Sequence, residues 1–159
     1  MEYNLKTDAK FSACRKYRYA LWRTWDESKP SAMIIGLNPS TADENENDPT
    51  ITRCINFAKS WGYGGVCVTN LFAYCATVPS DMKESNDPIG SENDTWIKKL
   101  SREAAIIVAA WGNDGSYLNR SGEILGTLLN LHYIKMNKSG EPAHPLYLKA
   151  NLKPLPMGN

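Results

Sequence analysis

The residues best suited to chemistry lie in short polar strings, each directly after an apolar run. GLNPSTAD, residues 36–43, follows SAMII. Gly36 lets the backbone approach a ligand closely. Pro39 fixes the turn, and Asn38, Ser40 and Thr41 offer short, rigid hydrogen-bonding groups. The string lacks the Gly-Lys-Ser or Gly-Lys-Thr ending of a phosphate loop. An Asx-type turn capping the next element accounts for the same residues without any ligand. Asn70 closes the run VCVT, Asn113 follows Trp111-Gly112, and His144 precedes Pro145. An Asn amide carries a donor and an acceptor, which suits the edge of a nucleobase better than a phosphate. An imidazole can donate to an oxygen on which charge accumulates, although a lone His after a turn is more often a surface residue.

These strings need elements to position them. Residues 16–25 alternate, with Tyr17, Tyr19, Leu21 and Trp25 on one face, the pattern of a half-buried strand. Residues 31–36, 66–72, 104–111 and 132–136 read as further strands. Helical spacing marks 50–61, begun by Asp48-Pro49 and stopped by Gly62, Gly64 and Gly65. It also marks 91–103 and 121–131. Strands alternating with helices predict a three-layer α/β/α fold around a mainly parallel sheet. Ligands in such folds sit beyond the carboxyl ends of the strands, where four separate strings deliver polar groups.

Composition narrows the classes. The 159 residues suit one compact domain, expected over 1–159, with 42% apolar and 22% charged residues. A net charge of +1 gives duplex DNA binding no support. MEYNLKTDAKFS lacks the apolar core of a signal peptide, and no run is long enough to span a bilayer, so a cytoplasmic protein without membrane contact is expected. Cys14, Cys54, Cys67 and Cys75 have no CxxC spacing, and there are two His, so neither metal nor other cofactor is expected.

Read in order, GLNPSTAD, NDPTITRCINFAKSWGYGG, VTNLFAY, DPIGSEND, AAWG and HPLYL resemble a family of bacterial and phage proteins of unknown function over nearly the whole chain. Three of these strings are also similar to the uracil-DNA glycosylase superfamily. Gly36, Asn38 and Pro39 match its Gly-x-(Asp/Asn)-Pro loop. Asn70 matches the Asn that reads the base edge, and His144-Pro145 the loop whose His stabilises the departing base. The resemblance implies a nucleobase pocket between these loops and hydrolysis of an N-glycosidic bond, with DNA as one carrier of the base. It departs from the most active enzymes at Asn38, where they carry Asp, since an amide takes no proton. Asp48, or less readily Asp43, is then the candidate base, against the default of a solvated carboxylate. Arg53, one helical turn beyond Asp48-Pro49, is a candidate anion contact. Phe72 and Tyr74, just beyond Asn70, are candidates to stack on a base. Leu146 and Leu148 stand where related enzymes insert an apolar wedge into DNA, or are simply core. Two functions follow: a glycosylase removing a modified or damaged base, or a binder that sequesters a free nucleotide or nucleotide-derived signal, as in phage counter-defence.

Overall fold

The alternation of apolar and amphipathic segments produces an α/β chain in the computed structural model, which describes residues 5–158. The first four residues, part of the segment on which the signal-peptide expectation bears, lie outside the described residues. The strands are β1 (Lys6–Phe11), β2 (Arg18–Thr24), β3 (Ser31–Gly36), β4 (Gly65–Asn70), β5 (Ile106–Ala109), β6 (Leu131–Tyr133) and β7 (Leu155–Pro156). The helices are α1 (Pro49–Ser60), α2 (Pro79–Lys83), α3 (Asn93–Glu103) and α4 (Arg120–Thr127), with 3-10 turns at Asn113–Asn119 and Pro145–Tyr147. The seven strands form one mixed sheet in the order β1-β2-β4-β3-β5-β6-β7. Its centre, β4-β3-β5-β6, is parallel, while β2, β1 and β7 pair antiparallel at the flanks.

The central strands are buried on both faces, as expected of parallel strands covered by helices. Ala32, Ile34, Val66, Val68 and Val108 point to one face and pack with Ile51, Cys54, Ile55, Phe57 and Ala58 of α1. Met33, Ile35, Cys67, Ile107 and Ala109 point to the other, against Met82, Ile97, Leu100 and Ile124 of the remaining helices. Each fully buried Ile or Phe contributes about 1.5–3 kcal/mol. No helix among the described residues is long and apolar enough to cross a membrane.

The expected elements over 31–36, 50–61, 66–72 and 91–103 are present with shifts of a residue or two. Others differ. The predicted half-buried strand over 16–25 is buried on both faces from Arg18 to Leu21, and it ends at Thr24, before Trp25. Lys10 pairs with Ala20 but Phe11 pairs with Arg18, so Tyr19 is one residue too many. This bulge breaks the alternation on which the prediction rested. The predicted helix over 121–131 stops at Thr127 because Leu128 is extended and Asn130 has φ 61°, which starts β6 early. β1, α2 and β7 were not predicted. β1 is exposed along most of its length and carries no apolar period.

Between β3 and α1, residues 37–48 contain no regular element. Arg23 of β2 binds this loop: its Nε donates to Asn47 Oδ1 at 2.7 Å, and its Nη2 to the carbonyls of Asp43 at 2.6 Å and Glu46 at 3.1 Å. The loop closes on Asp48, the N-cap of α1. One carboxylate oxygen accepts from the Ile51 N–H at 2.9 Å, the other from the Ala42 N–H at 3.1 Å, and Pro49 follows in the first helical turn. Asp48→Ala removes both acceptors and leaves two backbone donors unpaired. It is expected to lower stability by about 1–2 kcal/mol in urea denaturation; an unchanged midpoint would contradict this assignment.

Candidate functional site

The loops after β3 and β5 leave the sheet toward opposite faces, which opens a crevice at the carboxyl ends of the central strands. A cavity of about 30 Å³ lies there. That is room for about two waters or for one edge of a ring. Gly36, Asn38, Pro39 and Ser40 from the β3 loop, Asp48 from the α1 cap, Asn70 from the end of β4, and His144 all line it. Outward it meets a groove of about 490 Å³, which Leu37, Asn38, Ser40, Asp48, Thr50 and His144 also border. Thr41 lines the groove and not the cavity.

The register of the sheet sets the inner wall. Gly36 of β3 lies directly beside Asn70 of β4. A Cβ at position 36 would stand 2.9 Å from Asn70 Nδ2, so the side chain of Asn70 occupies space that only glycine leaves free. Asn70 Oδ1 accepts from Arg18 Nη2 at 3.3 Å. Arginine has no acceptor, so the amide orientation follows: Oδ1 faces Arg18 and the NH₂ group faces Gly36. Asn70 therefore brings chiefly its donor to the cavity, rather than the free donor–acceptor pair expected from its type.

Asn38 is oriented by the same logic. Its Nδ2 donates to the carbonyls of Pro39 at 3.1 Å and Ala76 at 2.8 Å. Its Oδ1 accepts no hydrogen bond among the described residues and remains an acceptor at the junction of cavity and groove. Asp48 lines the cavity, but both its oxygens already serve backbone donors. Asp43 accepts from the N–H groups of Asn45 and Glu46, each at 2.8 Å, and lines neither space.

His144 caps the short turn Pro145–Tyr147, its Nδ1 accepting from the Leu146 N–H at 3.2 Å. A neutral ring that accepts at Nδ1 carries its proton on Nε2. Burial holds the imidazole below its ordinary value of 6.5, with Asp48 pulling the other way, so the neutral form prevails at pH 7. The loop rests near the end of β5, where Gly112 has φ 78° and a Cβ added at that position would stand 3.5 Å from His144 Cβ. Arg53 of α1 ties the loop down, donating to the carbonyls of Pro145 and Leu148.

Besides Thr41, four residues named from sequence as ligand contacts lie outside the cavity, and these four lie outside the groove as well. Arg53 is half-buried but spends its guanidinium on the carbonyls that hold the His144 loop. Phe72 is wholly buried on the opposite face of the sheet, 5.8 Å from the Tyr117 ring. Tyr74 packs edge-on against Tyr17 at 5.6 Å. Asn113 accepts from Asn137 at 2.9 Å and Ser139 at 2.6 Å, closing a surface turn. In the turn after His144, Leu146 borders the groove, Leu148 packs with the α1 core, and Tyr147 is exposed.

The residue that sequence reading passed over is Arg18, which lines the cavity at 2% exposure. Its signal was an arginine at the head of the apolar stretch Tyr19–Trp22, and the bulge at Tyr19 turned it to the α1 face. Cys54 also lines the cavity, but burial pushes its thiol up to about 12, so it stays a protonated packing residue. No cluster of His, Cys, Asp and Glu among the described residues is arranged to hold a metal ion.

Fold and site together define an α/β protein with a small, largely apolar cavity at the strand ends of a parallel sheet, into which Arg18, Asn38, Asp48, Asn70 and His144 bring polar groups. The chain belongs to the family described as protein of unknown function (DUF1643), which matches residues 18–146. That span runs from Arg18 through the His144 loop and so contains every residue of the cavity wall. No match is found among curated proteins or among solved structures.

The lowered imidazole has a consequence for stability. The unfolded chain takes up the His144 proton at a higher pH than the folded one. The contribution of the neutral ring is therefore complete above about 6.5 and is lost as pH falls through that value toward the lowered one. Melting temperatures of wild type and His144→Gln, compared from about pH 8 to about pH 5, should diverge below 6.5 with the wild type falling faster; parallel curves would refute this.

Proposed function

We propose that the cavity takes the edge of a nucleobase and that the protein hydrolyses the N-glycosidic bond of a modified or damaged base, on a uracil-DNA glycosylase-like fold. The observation that carries this reading is the meeting of three groups from separate segments at one cavity: the Asn70 amide donor at the end of β4, the neutral His144 ring at the cap of its turn and the uncommitted Asn38 carbonyl oxygen after β3. The similarity of their strings to that superfamily supports it.

The chemistry uses each group once. Asn70 Nδ2 donates to a ring carbonyl and holds the base edge. As the bond from base to sugar breaks, its electron pair stays with the base, and negative charge grows on the base oxygen. His144 Nε2–H donates to that oxygen, a fixed donor costing no reorganisation. Asn38 Oδ1 orients a water toward the cationic sugar carbon. The water proton leaves to solvent, since Asp48 has both oxygens engaged and an amide accepts none. The cavity admits only an edge, so the body of the base and its sugar lie in the groove.

A second reading has its own support. Among the described residues the groove is bordered by no Lys or Arg, which leaves a DNA backbone without counter-charges. No carboxylate in the cavity wall is free to act as a base. Both features favour a free nucleotide, bound and not turned over.

The deciding experiment measures base release by mass spectrometry from oligonucleotides and from free nucleosides carrying uracil or hypoxanthine. The hydrolase reading expects release that drops about 10²–10³-fold in His144→Ala. Binding without release, or a nucleotide co-purifying with the protein, selects the second reading. Asn70→Asp, which exchanges a donor for an acceptor, should weaken binding about ten- to hundredfold and change the base preferred. Asn70→Ala should weaken it with less change of preference. Folded variants with wild-type affinity and selectivity would exclude Asn70 as the reader of the base.

A further inference from the structure

Three arginines are buried among the described residues, and in two of them every guanidinium nitrogen has a partner. Arg23 donates to five oxygens, and Arg120 to the Leu71 carbonyl and the carboxylates of Asp94 and Glu123. Arg18 differs. Its Nη1 reaches the Ala42 carbonyl at 3.2 Å and its Nη2 Asn70 Oδ1 at 3.3 Å, both long contacts to neutral acceptors. Its Nε–H is buried without a partner, and it forms no ion pair among the described residues. Asp48, which lines the same cavity, has already given both its oxygens to backbone donors. A guanidinium keeps its charge in a protein. The one carboxylate near Arg18, Asp48, makes no ion pair with it, so the buried charge is met only in part until an anion reaches the unpartnered Nε–H.

The other donors of the cavity point the same way. Asn70 brings its NH₂ group and His144 its Nε2–H. Beside them stands a cation with one unmet N–H. Such a wall suits an oxygen carrying negative charge better than a neutral carbonyl. Resting on the nucleobase reading above, we infer that Arg18 is the counter-charge for an anionic ring edge, so that the site selects bases by the acidity of their ring N–H. Loss of that proton spreads charge onto the flanking carbonyl oxygen, which is the group the cavity is narrow enough to take alone. The groups around Arg18 permit this. Asp48 and the Cys54 thiol lie on the α1 side, Cys75 lies beyond the end of β4, and Arg23 is on its own strand. Burial holds Cys54 and Cys75 protonated, so Asp48 is the sole anion near Arg18 among these.

The test is calorimetric binding of uracil, 5-fluorouracil and 5-nitrouracil, a series of rising ring acidity, to wild type, Arg18→Gln and Arg18→Lys. In wild type, affinity should rise along the series by about tenfold or more. The rise should vanish in Arg18→Gln and partly persist in Arg18→Lys. Independently of any variant, 5-fluorouracil should bind wild type more tightly as pH rises through its own ring pKa. That range lies above the one in which His144 titrates. Flat affinity along the series in wild type, or a slope that survives in Arg18→Gln, overturns the role of Arg18 while leaving the nucleobase reading in place. Failure of every base to bind overturns both. If Arg18→Gln does not fold, the wild-type pH series decides the question.

Discussion

The site depends on how a long irregular loop is held against the sheet. Residues 37–48 carry Asn38 and Ser40 and end at the cap of α1, yet contain no helix or strand of their own. Stretches of that length without internal structure are seldom ordered unless their backbone groups find partners elsewhere. Here the partners come from β2. Arg23 takes the carbonyls of Asp43 and Glu46 and the side chain of Asn47, and Arg18 takes the carbonyl of Ala42. Asp48 closes the loop by accepting from Ala42 N–H. Two arginines on one face of an antiparallel flanking strand thus do for this loop what a helix does for its own backbone. The bulge at Tyr19 is what puts both on that face. Without it Arg18 would point to the opposite layer, and Asn70 would lose the donor that orients its amide.

Much of this frame was legible in the residues. The runs AMII and VCV are apolar throughout, and such runs belong to buried parallel strands. Asp48-Pro49 before TITRCINFAKSW marked the start of α1 with its cap and first turn. The polar residues directly after those runs had to fall at one rim, because parallel strands all end on the same side. Sequence spacing could not say which residues beyond a strand turn inward. Phe72 and Tyr74 follow Asn70 closely, but the chain leaves the sheet there and carries Phe72 to the opposite core. Arg53 stands one turn into α1 with the right charge for a ligand, and only the tertiary path of the His144 loop reveals that two carbonyls claim it. Arg18 stayed hidden because alternation assigns faces by parity, and a single inserted residue reverses parity for everything before it.

The same geometry separates two kinds of donor that composition alone would treat alike. His144 is held by burial as a neutral ring with its proton on Nε2, so it offers a directed hydrogen bond without a fixed charge. Arg18 sits deeper, keeps its charge and cannot leave, its strand being paired on both sides. His144 and Asp48 border both the cavity and the groove, whereas Arg18 lines the cavity alone, so the donors His144 and Arg18 differ in charge and in depth. Asp48 keeps its negative charge while its oxygens accept from the N–H groups of Ile51 and Ala42, and it offsets part of the Arg18 charge without touching it. Were Asp48 free to turn toward Arg18, a direct ion pair would occupy the guanidinium donors that a guest would otherwise meet. The helix cap therefore has a second effect beyond starting α1. By holding the one nearby carboxylate on the backbone, it keeps that carboxylate out of contact with Arg18, whose Nε–H stays without a partner.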